Sequence, residues 1–250
     1  MLSVHELYQY QELGYVGPFN IFDAKETNLI TQKLRIEKTK LSVFKKLSSY
    51  VPNLPWHCVN VNWAKDMHVH SPLVYQLSIR PIILDKVISI VGENLVLWGG
   101  LFLNIRPYEN PTWHRDGECE KWGCLDHANV WLALNNVDEE SGMRLISRSH
   151  QMLDIPGGLH SYDHVALEEA KKRDPKCELV SYGDKVKPGD FFIFNGNLWH
   201  TGGKNNAKTR YSLLLQYCKS NLEVRMPANP DVLAPCIALN SKSGSFANVN

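Results

Sequence analysis

Trp113-His114-Arg115-Asp116 carries more potential chemistry than any other stretch of this sequence. In an extended backbone, residues two apart point to the same side, so His114 and Asp116 can present an imidazole and a carboxylate to one point. A second histidine from elsewhere would complete the two-histidine, one-carboxylate set that holds non-haem iron on one face and leaves other positions open. His200, within Asn197-Leu198-Trp199-His200-Thr201-Gly202-Gly203, is the candidate, because it follows an apolar run that reads as a buried strand. Taken alone, His-x-Asp is short and common, and is more simply read as a surface loop pair whose side chains bond turn amides.

Arg210-Tyr211-Ser212 makes the constellation more specific. A Gly202-Gly203…Asn205-Asn206 turn separates it from His200. Two antiparallel strands joined there would set Arg210 on the strand beside His200, with Ser212 on the same face. A guanidinium fork binds a carboxylate through two hydrogen bonds, and a hydroxyl adds another donor. Arg210 and Ser212 can therefore hold one end of a dicarboxylate whose other end reaches a metal. A surface ion pair would leave unexplained why arginine opens an otherwise apolar strand.

The elements that must position these residues fall into two regimes. Residues 1–92 read as helical. Asp23-Ala24-Lys25-Glu26 forms a capping box, and Ile30, Leu34, Leu41, Phe44 and Leu47 recur near helical spacing. A second helix starts at Pro81 and stops at Gly92. From Asn94 the period becomes two, in Leu101–Arg106, Asn129–Leu134 and Arg210–Gln216, with Phe191–Phe194 as a short, wholly apolar strand. Turn signals at Glu139–Gly142, Pro188-Gly189 and Gly202–Asn206 separate them. Residues 151–187 interrupt the strands as a long insertion with a short helix over Val165–Lys172. The expectation is one mainly β domain spanning 1–250: a helical cover over 1–92, packed on one sheet of a sandwich or barrel over 94–220.

Bulk properties exclude several function classes. The chain has 250 residues, a net charge of +1, 44% apolar and 21% charged residues, which are ordinary globular values. Such a balance argues against a nucleic-acid protein that works by phosphate neutralisation. The apolar runs fall short of the roughly 18 residues a membrane span needs. MLSVHELYQY lacks the basic start and apolar core of a signal peptide. A cytoplasmic protein with reduced cysteines is expected. Cys119, Cys124 and His127 hint at zinc, without a matching second pair. His68-Val69-His70 reads as a loop, and His57, His127, His160 and His164 as surface or supporting residues.

Several segments, in order, resemble the phytanoyl-CoA dioxygenase family of Fe(II)/2-oxoglutarate-dependent oxygenases. The likeness runs from about Leu101 to Tyr217, with a weaker echo in Leu13-Gly14-Tyr15-Val16. Trp113-His114-Arg115-Asp116-Gly117 is similar to the family's first ligand pair. Val130–Leu134, leading to Val137–Gly142, resembles its central strand and turn. Leu145–His150 resembles its PGSH segment, with Arg148 where glycine is usual. Lys187-Pro188-Gly189-Asp190 followed by His200 resembles the distal-ligand segment, and Arg210 stands at the family's distance beyond it.

The resemblance implies a double-stranded β-helix, the jelly roll shared with cupins. It implies His114, Asp116 and His200 as iron ligands and Arg210 as partner of the 2-oxoglutarate C5 carboxylate. Asn104 and Trp131 match positions that often line the cosubstrate, although core packing would equally account for Trp131. Gly202 stands where some members carry serine. The implied cofactors are Fe(II), 2-oxoglutarate and O2, with ascorbate as a possible reductant, and the products are succinate, CO2 and an oxidised substrate. Related halogenases replace the ligand carboxylate with glycine or alanine, so Asp116 points to a hydroxylase, with desaturation and cyclisation as other outcomes.

Arg115, Glu118 and Glu120 crowd the ligand loop and would suit a small polar substrate, or simply solvate the loop. The expected partner is a small molecule, free or carried on coenzyme A or a carrier protein, with neither nucleic acid nor membrane. Two other readings stay open at this level. One is a jelly-roll binding protein without turnover. The other is a zinc hydrolase, which would leave Arg210 unexplained.

Overall fold

The computed structural model describes residues 1–48, 50, 66–109, 111–116, 127–152, 162–183, 185–203, 208–220, 236–240 and 247–249. The expected substrate contacts Glu118 and Glu120, together with Cys119 and Cys124, lie outside them.

Helix α1 (Val4–Leu13) begins at a reciprocal cap. Ser3 Oγ accepts from the Glu6 amide at 3.2 Å, and Glu6 Oε2 accepts from the Ser3 amide at 2.7 Å. Gly14 ends it in the left-handed conformation, with φ 85°. Next comes strand β1 (Tyr15–Asn20), at the edge of the larger sheet. The helical reading of residues 1–92 did not include this strand. Its sequence, YVGPFN, buries only Val16 and contains a proline, which a sheet accepts at its edge because no ladder N–H is lost to a neighbour there.

Helix α2 (Ala24–Ser48) starts where expected, with Asp23 Oδ1 accepting from the Glu26 amide at 2.7 Å. Three shorter helices follow: α3 (Met67–His70), α4 (Pro72–Ser78) and α5 (Pro81–Val91). His68 and His70 thus sit in a helix rather than a loop, and His68 is buried.

The strands are β2 (Asn94–Ile105), β3 (His127–Ala133), β4 (Arg144–Ile146), β5 (Leu179–Ser181), β6 (Asp190–Asn195), β7 (His200–Thr201), β8 (Arg210–Lys219), β9 (Cys236–Asn240) and β10 (Ala247–Val249), with helix α6 (Asp163–Arg173) between β4 and β5. They form a seven-stranded sheet in the order β1-β6-β3-β8-β2-β9-β10 and a three-stranded sheet in the order β5-β4-β7. The architecture is the jelly roll, with two sheets packed over a shared interior.

Period-two alternation divides the large sheet into two faces. Its outer face carries Phe102, Val130, Leu132, Phe191, Ile193, Leu213 and Leu215, and packs with Leu34, Val74, Leu77, Ile83 and Val87 of the helices in one apolar cluster. Its inner face carries Trp131, Ala133, Phe192, Phe194 and Leu214, which pack with Leu145, Met143 and Tyr182.

Two further expectations are corrected. His200 and Arg210 are not hairpin neighbours. β7 pairs with β4 in the small sheet, whereas β8 pairs with β2 and β3 in the large one, so the chain changes sheets between them. Residues 151–187, read as an insertion holding one short helix and otherwise loop, also contain a strand. Besides α6 they supply β5, which pairs with β4. β5 is only three residues long and half exposed, too short for alternation to show in the sequence.

Arg148 adopts φ 68°, a left-handed conformation that explains why glycine suits this position. Ion pairs to Asp174 at 2.5 Å and Glu12 at 3.0 Å hold it there and tie α1 to the end of α6.

Candidate metal centre

The His-x-Asp segment continues the small sheet beyond β7. The His114 amide donates to the His200 carbonyl at 2.9 Å, and the His200 amide returns the bond at 3.0 Å. Residues paired this way sit directly opposite on the same face. The Asp116 amide donates to the Gly196 carbonyl at 3.0 Å, which extends the attachment by one more step. His114, Asp116 and His200 therefore converge for the reason read from the sequence, but through a bridge to β7 that the sequence does not announce.

Their side chains meet. Asp116 Oδ1 lies 3.7 Å from His114 Nε2 and 3.5 Å from His200 Nε2, and one ligand atom from each of the three fits within 4.8 Å of the others. Each imidazole is oriented by its other nitrogen. Nδ1 of His114 bonds the Thr112 carbonyl at 2.8 Å, and Nδ1 of His200 bonds the Leu198 carbonyl at 2.8 Å. A carbonyl only accepts, so Nδ1 carries the proton and both Nε2 lone pairs face Asp116. This donor set fits a divalent iron ion.

The electrostatics agree. Burial works to raise the Asp116 carboxyl, but His200, His114 and His127 outweigh it and hold it at about 2. Burial lowers His200, yet the Asp116 carboxylate leaves it raised overall. His114 is lowered, first by His200 and then by burial. Asp116 is thus an anion through the physiological range.

Two residues missed in the sequence support that anion. Asn129 Nδ2 donates to Asp116 Oδ2 at 2.5 Å, and Gln216 Nε2 reaches the same oxygen at 3.3 Å. Both project from the inner face, where Asn129 of β3 pairs with Gln216 of β8. Their signal was a single amide within an otherwise apolar run, 128–133 in β3 and 213–218 in β8. Gly99 makes room for the second amide: a Cβ there would stand 2.3 Å from Gln216 Oε1. A bulge in β2 between Leu97 and Gly99 sets that close approach.

Arg210 and Ser212 also face inward, opposite Ile105 and Leu103 of β2. Arg210 is 3% exposed, and its Nη1 donates to the carbonyls of Ser141 and Gly202. The Asp138–Ser141 turn positions the first carbonyl. Asp138 Oδ1 accepts from the Ser141 amide at 2.7 Å, and Ser141 Oγ accepts from the Asp138 amide at 3.1 Å. Among the described residues no carboxylate pairs with Arg210, and its Nε and the Ser212 hydroxyl are both buried without a partner. Burial, opposed by Asp138, pushes the guanidinium down to about 10. An unneutralised buried cation beside an unsatisfied hydroxyl fits a carboxylate ligand. Trp131 lies on the same face, with the Arg210 guanidinium 5.9 Å from its ring centre.

Asn104 and Arg115 are corrected. Asn104 pairs with Tyr211, not with the inward residues on either side, and its Oδ1 accepts from Lys38 of α2 on the outer face. Arg115 points away from His114 and Asp116. It bonds the Met152 carbonyl and lies 5.7 Å over the Trp199 ring. His127, expected at the surface or in support, is 1% exposed on the inner side, beside Trp98 at 4.9 Å between ring centres.

The comparisons follow the same geometry. The family model for phytanoyl-CoA dioxygenase (PhyH) matches residues 10–210. No match was found among curated proteins. Among solved structures, the apo form of the non-haem monooxygenase ThoJ aligns with TM-score 0.61 at 20% identity, over 86% of this chain and 77% of its own. CytC3 with Fe(II) and alpha-ketoglutarate aligns with TM-score 0.58 at 19% identity, over 98% and 88%. SnoK, an alpha-ketoglutarate-dependent carbocyclase from nogalamycin biosynthesis, aligns with TM-score 0.58 at 18% identity, over 88% and 85%. These likenesses share the fold, and with the family match across most of the chain they establish that it belongs to the phytanoyl-CoA dioxygenase family of Fe(II)/2-oxoglutarate-dependent oxygenases.

Proposed function

We propose that the protein uses Fe(II), 2-oxoglutarate and O2 to hydroxylate a C–H bond of a small polar metabolite, such as an amino acid or an intermediate of specialised metabolism, releasing succinate and CO2. The observation that carries this reading is the pairing of a three-donor site with a buried, carboxylate-free Arg210 in one interior. Iron, when bound, supplies the oxidative decarboxylation of the cosubstrate and the activation of O2.

The chain's own residues supply position and exclusion of water. His114 and His200 offer Nε2 because backbone carbonyls take Nδ1. Asn129 and Gln216 fix Asp116. Arg210 and Ser212 receive the far carboxylate of 2-oxoglutarate, and Trp131 closes the wall beside them. A polar substrate is supported by polar atoms left unsatisfied near Asp116: Asn129 Oδ1 and both nitrogens of His127. Such atoms retain their bonding capacity for a ligand. Hydroxylation rather than halogenation is supported by Asp116, which keeps the ligand position that halide would need.

The test begins without oxygen. Fe(II) and 2-oxoglutarate added to metal-free protein should give a weak visible charge-transfer band, absent in His114→Ala. Candidate metabolites are then screened by succinate release under isotopically labelled O2. Hydroxylation requires a product carrying one labelled oxygen. A product that has lost hydrogen without gaining oxygen would replace hydroxylation by desaturation or cyclisation, and absence of the band would favour a binding protein without turnover.

A further inference from the structure

The outer face of the large sheet holds a second concave site, separated from the metal centre by the sheet itself. It is a groove of about 430 Å³ between α2 and strands β2 and β8. Arg35, Lys38 and Lys46 line it from the helix, and Phe102, Asn104 and Tyr211 from the strands. Among the described residues no acidic side chain lines it.

Two of these cations, Arg35 and Lys38, are incompletely used among the described residues. Arg35 stands 5.3 Å over the Tyr211 ring, and among the described residues its guanidinium has neither a hydrogen bond nor an ion pair. The Lys38 ammonium lies 5.4 Å over the Phe102 ring. It donates to the Phe102 carbonyl at 3.1 Å and to Asn104 Oδ1, both neutral acceptors. An ammonium has three donors, so one remains. Arg106 acts on Lys38 as a further like charge, and among the described residues no carboxylate offsets it. Like charges gathered in a concave surface, with no carboxylate paired to Arg35 or Lys38 among the described residues, attract a small anion.

We propose that this groove binds a phosphate-bearing small molecule, with phosphate oxygens on the Arg35 fork and the spare Lys38 donor. A guanidinium fork matches phosphate geometry through two parallel bonds, and the ammonium adds a point charge. The groove is bounded by a helix on one side, which suits a small molecule rather than a flat membrane surface. The site is independent of the oxygenase reading, since none of its residues faces the metal centre.

Calorimetric titration of the metal-free full chain with sodium pyrophosphate, at constant ionic strength, tests the proposal. Saturable binding is expected, unchanged in Arg210→Met, which removes the competing cation inside the barrel. It is expected to weaken by about tenfold to a hundredfold in Arg35→Gln, the effect of one charge-assisted bond. Arg35 is exposed, so this variant keeps the fold, and Lys38→Met provides a second reading of the same site. The proposal is overturned if pyrophosphate shows no saturable binding, if both groove variants bind as the wild type does, or if binding disappears in Arg210→Met. Binding to vesicles of phosphatidic acid without binding to pyrophosphate would overturn it in favour of a membrane contact.

Discussion

Replacing Arg210 by methionine separates what this cation does for the fold from what it does for a ligand. Burial moves the guanidinium from its ordinary 12.5 down to about 10, which corresponds to about 3 kcal/mol of lost solvation in the ligand-free protein. Removing the charge recovers that loss. Against it, the carbonyls of Ser141 and Gly202 lose their donor, at about 1–3 kcal/mol each. The two effects largely offset, so Arg210→Met should leave metal-free stability between a gain of about 1 kcal/mol and a loss of about 3 kcal/mol, read by urea unfolding. Ligand binding has no such offset. Truncating one partner of a buried charge pair costs about 2–5 kcal/mol, so 2-oxoglutarate should bind at least about 30-fold more weakly. The assay is an anaerobic titration of the Fe(II) protein, following the visible charge-transfer band. Arg210→Lys should fall between, since it keeps the charge and loses the fork. Affinity within about threefold of wild type in Arg210→Met would refute the reasoning. So would metal-free destabilisation beyond about 4 kcal/mol, which would make Arg210 a structural cation.

Three other outcomes follow from the geometry. Asn129→Leu and Gln216→Leu each remove an amide from Asp116, and each should weaken divalent metal binding by about tenfold to a hundredfold, with less-than-additive losses in the double variant because both serve one oxygen. At position 148, Arg148→Gly relieves the left-handed strain while losing the pairs to Glu12 and Asp174, whereas Arg148→Ala loses the pairs and keeps the strain; the alanine protein should be less stable by about 1 kcal/mol in urea. Burial pushes His127 down to about 4, so between that value and 6.5 the unfolded chain binds a proton that the folded protein refuses. Stability should therefore fall on acidification through this window, by up to about 3 kcal/mol, and His127→Phe should flatten that part of the profile.

The sequence displayed the reacting groups better than the frame that holds them. His114 and Asp116 were legible because extended backbone fixes their common side, and Arg210 because a lone cation at the head of an apolar strand calls for a ligand. The partnership of β7 with β4 was not legible. Local alternation describes a strand's faces but says nothing of which distant strand it meets, so the nearest partner in sequence, β8, was the natural and mistaken choice. Asn104 shows the same limit. Its place in β2 was clear, but whether it faced inward depended on register with Tyr211. Asn129 and Gln216 escaped notice because an isolated amide in an apolar strand looks the same whether it supports a ligand or bonds a neighbouring backbone. β1 and β5 were missed for want of length and apolar content.

The bridge between His114 and His200 has a consequence for how the protein is assembled and turned over. These residues close a long loop of chain, fastened at that edge by a pair of backbone hydrogen bonds, the Asp116–Gly196 bond and Thr201 Oγ1 donating to the Pro111 carbonyl at 2.7 Å. A metal ion held by both histidines acts as a clip across the same loop, and such clips gain most when the loop is long. Iron supply then governs more than turnover. Chains made without metal would lack this clip and would be less stable by the free energy with which the folded site binds the ion. Metal content would be read by the cell as lifetime as well as activity.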